Sequence, residues 1–261
     1  MKIATWNVNS IKARLPIVLQ WLRDFQPDVL LVQEIKTTRE SFPYLEMEDL
    51  GYNIAVHGQK SYNGVAIFSK FPLEDILYGI PGEPEETQAR YIEAVTHGVR
   101  VMSVYVPHGR EIRSPYFQYK LDFLQHLKNH VEHQLSFEEK LVLGGDFNVT
   151  PSIHDVHGGA QETGKLHCSI PERLALKSLT NMGLIDAVRE RHPIGTKSGS
   201  ALYSWWDYRS GGWQQNKGMR IDMLYLSPQA ADCLGEAGID IQPRSLPKAS
   251  DHAPVWCELL P

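Results

Sequence analysis

Short apolar runs recur along the chain at residues 3–6, 29–32, 65–68, 99–106, 141–143, 221–226 and 253–256. Each is too short for a stable helix, and most are rich in Val, Ile and Leu, as strands buried on both faces are. Two longer segments repeat their apolar positions at helical spacing instead. One carries Ile17, Val18, Trp21, Leu22 and Phe25 and is closed by Pro27; the other spans residues 116–131 with Leu121, Leu124 and Leu127. The pattern predicts a mixed α/β fold. Clusters of Gly, Ser and Pro at 79–84, 158–164, 195–200 and 210–212 mark loops, and none is long or biased enough to divide the chain. One domain over residues 1–261 is expected.

Polar residues gather where the apolar runs end. Asn7 follows the first run, Glu34 the second and Asp146 the one at 141–143; Asp222 lies inside its run, and Asp251 and His252 precede the last. Strand ends on a rigid sheet are where a fold can aim several side chains into one cleft.

Composition narrows the classes. A chain of 261 residues that is 42% hydrophobic can bury one large core. A net charge of −5 gives no overall basic field, so contact with nucleic acid would have to come from local Lys and Arg around an acidic centre. Three cysteines, Cys168, Cys233 and Cys257, form no C-x-x-C pair, which argues against a disulfide framework or a zinc knuckle and fits a reducing compartment. The N-terminus turns polar within a few residues and no apolar run approaches a membrane span, so a cytoplasmic protein without a membrane partner is expected. His126, His130 and His133 share one helical face and His154 and His157 form a second pair, but no Cys or acidic motif completes either set. A solvated face is the expectation there.

Hydrolysis of a phosphodiester needs a cation on the non-bridging oxygens, a group to orient or deprotonate water, and stabilisation of the departing oxygen. Glu34, closing the run D-V-L-L-V-Q-E, offers a hard oxygen ligand suited to Mg²⁺ or Mn²⁺, or is simply a solvated strand-end glutamate. Asp146 and Asn148 in G-G-D-F-N-V-T-P sit two apart, facing the same way in extended geometry; the same letters also suit a turn. Asp251-His252 in S-D-H-A-P-V sets an imidazole beside a carboxylate, and Asp222 in G-M-R-I-D could fix its tautomer, as it could for a merely structural histidine.

Taken in order, T-W-N-V-N (5–9), V-Q-E-I-K (32–36), Y-N-G-V-A-I (62–67), Y-V-P-H-G (105–109), G-D-F-N-V-T-P, S-W-W-D-Y-R-S (204–210), G-M-R-I-D and S-D-H-A-P-V resemble the exonuclease III family, which includes the class II AP endonucleases. The resemblance implies a DNase I-like four-layer α-β-β-α sandwich, two packed and mostly antiparallel sheets flanked by helices, with the site at one end of the sheets. By matching position it implies that Glu34 is the main metal ligand, with Asn7 and Asp251 close by, and that the metal is Mg²⁺, for which Mn²⁺ can substitute. It makes Asp146 the residue that activates water and Asn148 the one that holds the phosphate. Tyr105 and His252 become phosphate-oxygen partners, with Asp222 orienting His252, and the motifs leave open whether the base is Asp146 or the Asp222-His252 pair. Trp205 corresponds to an aromatic that packs on the flipped or terminal sugar, and Trp206 is a wedge against the duplex or a buried neighbour. Lys36, Lys60, Arg90, Arg110, Arg209 and Arg220 could add phosphate contacts.

The implied activity is DNA repair hydrolysis by a monomer on 3′ ends, nicks, and damaged or abasic duplex. A phosphatase on inositol or lipid phosphates, or a non-catalytic binding module, are the other classes the sandwich can serve. One stretch departs from the AP endonuclease pattern. In G-K-L-H-C-S-I-P-E (164–172), Leu166, His167 and Cys168 stand where a small residue would leave room for an abasic sugar. An imidazole at His167 would obstruct a sugar flipped from within a duplex more than a frayed 3′ end. The expectation is 3′-exonuclease and 3′-phosphatase or phosphodiesterase activity, with AP endonuclease activity weak or absent; a full AP endonuclease is the alternative.

Overall fold

In the computed structural model, which describes residues 1–84 and 88–261, the apolar runs become strands of two six-stranded sheets. In chain order the strands are β1 (Lys2–Asn7), β2 (Val29–Gln33), β3 (Asn53–His57), β4 (Val65–Ser69), β5 (Glu74–Tyr78), β6 (Tyr91–Thr96), β7 (Val99–Tyr105), β8 (Leu141–Asp146), β9 (Ile185–Asp186), β10 (Trp205–Trp206), β11 (Gly218–Met219), β12 (Asp222–Leu226), β13 (Leu234–Ile239) and β14 (Val255–Leu259). The helices are α1 (Ile11–Phe25), α2 (Tyr44–Glu48), α3 (Pro115–Leu135), α4 (Ile170–Thr180), α5 (Ala187–Arg191) and α6 (Pro228–Ala231).

One sheet runs β13-β14-β1-β2-β4-β3 and the other β5-β6-β7-β8-β12-β9, while β10 and β11 form a separate ribbon. Pairing is antiparallel except for β1 with β2 and β7 with β8. A parallel pair needs a crossover, and the two long helices supply it: α1 joins β1 to β2 and α3 joins β7 to β8. α1 starts six residues before its periodic apolar set because Ser10 caps it, accepting from the Ala13 N–H at 3.4 Å. Ser114 caps α3 in the same way, accepting from Phe117; such a cap is worth about 1 kcal/mol.

Strand alternation sorts the side chains into layers. Ile3, Leu31 and Val65 meet Val101, Val142 and Leu224 between the sheets. Trp6, Leu30 and Phe68 point outward onto Val18, Trp21 and Leu22 of α1 and Met47 of α2. Met102, Leu143 and Tyr225 cover the other outer face with Phe123 and Leu127 of α3 and Leu176 of α4. The order is helix, sheet, sheet, helix, as the motif resemblance implies.

The same alternation delivers the polar residues. Ile3, Thr5 and Asn7 share the inner face of β1; Val101, Ser103 and Tyr105 that of β7; Val142, Gly144 and Asp146 that of β8; Leu226, Leu224 and Asp222 that of β12. Each series passes from apolar to polar toward one end of the sandwich. Register then sets Tyr105 and Asp222 directly on either side of Asp146. Beneath them the sheets close tightly, because a Cβ on Gly144 would lie 2.6 Å from Leu31 Cδ1 and 3.3 Å from Thr5 Cβ.

Candidate active site

Asn7 links the sheets at their polar end. Its Nδ2 donates to Glu34 Oε1 and to Asp146 Oδ2, both at 2.9 Å. Asp146 Oδ1 accepts from the Asn148 main-chain N–H at 2.9 Å. Asn148 Nδ2 reaches the Val106 carbonyl at 3.0 Å and Asp146 Oδ2 at 3.4 Å. Glu34 and Asn148 take left-handed φ of +50° and +51° just past their strands, backbone that costs about 1–3 kcal/mol and persists where surrounding bonds hold it.

His252 lies on the far side of Asp146. Its Nδ1 is 2.9 Å from Asp222 Oδ2, and since a carboxylate can only accept, Nδ1 carries the proton. The Ser204 hydroxyl donates to the same carboxylate oxygen at 2.6 Å. His252 Nε2 stands 3.8 Å from Asp146 Oδ2. Burial opposes the charged ring, but the Asp222 and Asp146 carboxylates outweigh it and push its pKa up to about 10. Burial pushes Asp146 up to about 7, against the pull of His252. Burial also works against the Glu34 carboxylate, yet Lys36 and Asn7 more than offset it and hold its pKa below the usual value. Tyr105 is driven well above its usual value by burial and by Glu34 and Asp146, so its hydroxyl stays a donor.

Glu34, Asp146 and His252 each offer one ligand atom, all within 4.8 Å of one another. The two carboxylates fit a hard divalent cation; the Asp222 bond to Nδ1 of His252 turns its Nε2 toward Asp146. Asp251 borders this group, its oxygens taken by Asn9 Nδ2 and Trp205 Nε1 at 3.0 Å each. Lys36 pairs with Glu34 Oε2 at 2.7 Å and donates to Asn9 Oδ1 at 2.6 Å. Asn9 and Ser204 carry no signal of their own in sequence beyond their places inside the quoted motif blocks.

Other candidates take different positions. Arg90 is buried over the Tyr105 ring, its guanidinium carbon 4.7 Å from the ring centroid, and donates to the Tyr105 carbonyl at 3.2 Å. Trp206 is 2% exposed, donates to Asn216 and packs edge-on against Trp213, which makes it core and removes the wedge reading. Arg220 is not a free phosphate contact: it is 1% exposed and bonded to Asp155 and Asp186 at 2.7 Å each. His130 turns inward onto Glu93 at 2.6 Å and so leaves the face expected for it to be solvated. His167 is half-buried with φ +67°; its Nδ1 donates to the Asn148 carbonyl at 2.5 Å and its ring lies edge-on to His108, 4.6 Å between centroids. Burial, with the Lys120 and His108 charges beside it, holds this ring well below its usual pKa, so it is neutral near pH 7.

These shifts predict a bell-shaped pH profile. A base at Asp146 works as carboxylate, so kcat/KM falls as pH drops through about 7, or lower with a cation alongside; a donor at His252 is lost as pH rises through about 10. Rates measured from about pH 5 to about pH 11 check this, and a flat acid side would remove Asp146 as the titrating base.

A carboxylate-rich centre with imidazole and amide donors, at one end of two packed sheets, is an arrangement suited to phosphoester hydrolysis. The chain belongs to the Endonuclease/Exonuclease/phosphatase family, which it matches over residues 4–252. It is similar to exodeoxyribonuclease III of Haemophilus influenzae, 34% identical over 269 aligned residues that cover 99% of both chains. Among solved structures it is similar to the 3′ phosphatase NExo from Neisseria bound to product DNA hairpin, at 40% identity, 99% coverage of each chain and a TM-score of 0.95. It is also similar to an AP endonuclease from Archaeoglobus fulgidus, at 36% identity, 99% coverage of each and a TM-score of 0.93.

Proposed function

We propose that this DNA repair hydrolase of the exonuclease III type works chiefly at 3′ ends, as a 3′ to 5′ exonuclease and a 3′-phosphatase or phosphodiesterase, using Mg²⁺ with Mn²⁺ as a substitute. The full-length likeness to exodeoxyribonuclease III and to a 3′ phosphatase bound to DNA supports a nucleic-acid substrate over an inositol or lipid phosphate. No helix among the described residues is long and apolar enough to cross a membrane. Its place of work is the cytoplasm, as a monomer on nicked and damaged duplex.

Glu34 would hold the cation, with Asn7 and Asp251 fixing its surroundings, and a divalent ion there would supply polarisation of the phosphate. Asp146, buried and raised to about 7, takes the proton from water; the imidazolium character of His252 at neutral pH supports Asp146 as the base over the Asp222-His252 pair. Asn148, Tyr105 and His252 donate to phosphate oxygens, and Asp222 keeps the His252 ring turned toward them. Arg90 supports the Tyr105 ring, Lys36 balances Glu34, and the half-exposed face of Trp205 receives the terminal sugar.

The observation that carries the 3′-end preference is His167, an imidazole tied to the Asn148 carbonyl and braced by His108 beside the phosphate-holding group. A sugar swung out of an intact duplex would have to displace it. The likeness to an AP endonuclease keeps internal abasic incision as the second reading. A panel of 3′-phosphate nicked, recessed 3′-hydroxyl and internal abasic duplexes ranks the activities. In it, His167→Gly is expected to raise abasic incision about 10-fold or more while 3′-phosphatase turnover changes little. Unchanged abasic incision would sink the 3′-end reading.

A further inference from the structure

Two of the most deeply buried charges lie behind the reacting groups. Lys120 of α3 and Glu172 of α4 are both 0% exposed, with Lys120 Nζ 2.5 Å from Glu172 Oε1. The ammonium also donates to two main-chain carbonyls, Asn148 at 2.6 Å and His108 at 3.3 Å. Glu172 in turn accepts from the His167 N–H at 3.1 Å, and from the Ser169 N–H at 3.1 Å and hydroxyl at 2.6 Å, completing the capping box of α4. One ion pair therefore ties together the loop after β7, the loop after β8 and the loop that carries His167.

Packing α3 and α4 on the sheet does not call for this pair. Phe123, Leu127, Leu176 and Leu179 already do so, and a buried ion pair stabilises no better than an apolar pair of equal volume. Its distinctive product is geometric. The Asn148 carbonyl receives both Lys120 Nζ and His167 Nδ1, and Asn148 and His167 each hold a left-handed φ. Backbone of that kind relaxes when its partners leave.

We propose that the Lys120–Glu172 pair is a positioning device for the reaction: through one carbonyl it fixes both the Asn148 amide against Asp146 and the His167 ring that closes the space for an internal sugar. Rate and substrate choice are thereby coupled at a point that touches neither substrate nor metal. The proposal rests on the 3′-end reading of His167.

Lys120→Met alone strands a buried carboxylate, so the deciding variant is Lys120→Met/Glu172→Gln, which removes both charges and keeps a glutamine able to serve the capping box. With Mg²⁺, kcat on a 3′-phosphate nicked duplex is expected to fall about 10- to 100-fold with KM little changed. The ratio of 3′-phosphatase to internal abasic incision is expected to fall as well, by about 10-fold, because the freed ring no longer closes the space. A variant in which both activities drop in proportion to folded protein, with their ratio intact, overturns the positioning role. So does a double variant that circular dichroism finds unfolded, since the pair would then serve the fold itself. A parent enzyme that lacks 3′-end preference is a separate failure, of the His167 reading, and the first measurement on the parent exposes it.

Discussion

Asp146→Asn is expected to lower kcat on a 3′-phosphate duplex by about 10³- to 10⁴-fold while KM moves little. The exchange keeps volume and shape at a position only 1% exposed, so folding should survive. What it removes is basicity and charge. The carboxylate accepts from Asn7 Nδ2 on one oxygen and from the Asn148 N–H on the other. An amide can accept on only one side, so its NH₂ must face one of these donors. It also takes away the negative neighbour that helps keep His252 protonated. Single-turnover rates at saturating Mg²⁺ separate this chemical defect from weaker binding. A loss below about 10-fold would move the base to the Asp222-His252 pair.

The second large effect belongs to Glu34→Gln. Two carboxylates, Glu34 and Asp146, supply the hard oxygens of the cluster, and Glu34 is the one whose burial is outweighed by a lysine and an amide that keep it ionised. Neutralising it leaves Lys36 unmatched at the mouth of the site and halves the charge available to a divalent ion. Turnover at fixed low-millimolar Mg²⁺ should drop by about 10²- to 10³-fold, with part of the loss recovered as Mg²⁺ is raised. Metal titrations of activity and of binding heat follow the shift directly, and chelation should abolish hydrolysis in the parent. A variant with the parent's metal dependence would place the cation elsewhere.

Much of this centre was legible in sequence because strand alternation and strand ends are written in the apolar pattern. Asn7, Asp146 and Asp222 could be assigned to one cleft, and the packed sheets bring them together. Three of the strands that no apolar run marks share a reason. β5 is an edge strand with mostly exposed residues, Glu93 interrupts β6, and β13 holds two glycines, so none forms a continuous apolar run. The roles of Arg220 and Lys120 were hidden because a basic side chain reads as surface until its partners are known; Asp155 lies 65 residues from the first, and Glu172 lies 52 from the second. One signal was available: S-I-P-E at 169–172 has the spacing of a capping box, which places Glu172 at the start of α4. Burial of the Trp206 indole was undecidable from the W-W pair alone, since adjacent residues on a strand face opposite sides and only the packing of Trp213 selects one.

The close approach of the two sheets at Gly144 has a consequence for tuning. Asn7 rides on one sheet and Asp146 on the other, so the 2.9 Å bond between them spans the gap held by the apolar layer beneath. Leu31 and Leu224 set that gap without reaching the cleft. Methylene-sized changes in that apolar interior are therefore expected to shift turnover from below, as a press is shimmed, with every polar group left in place.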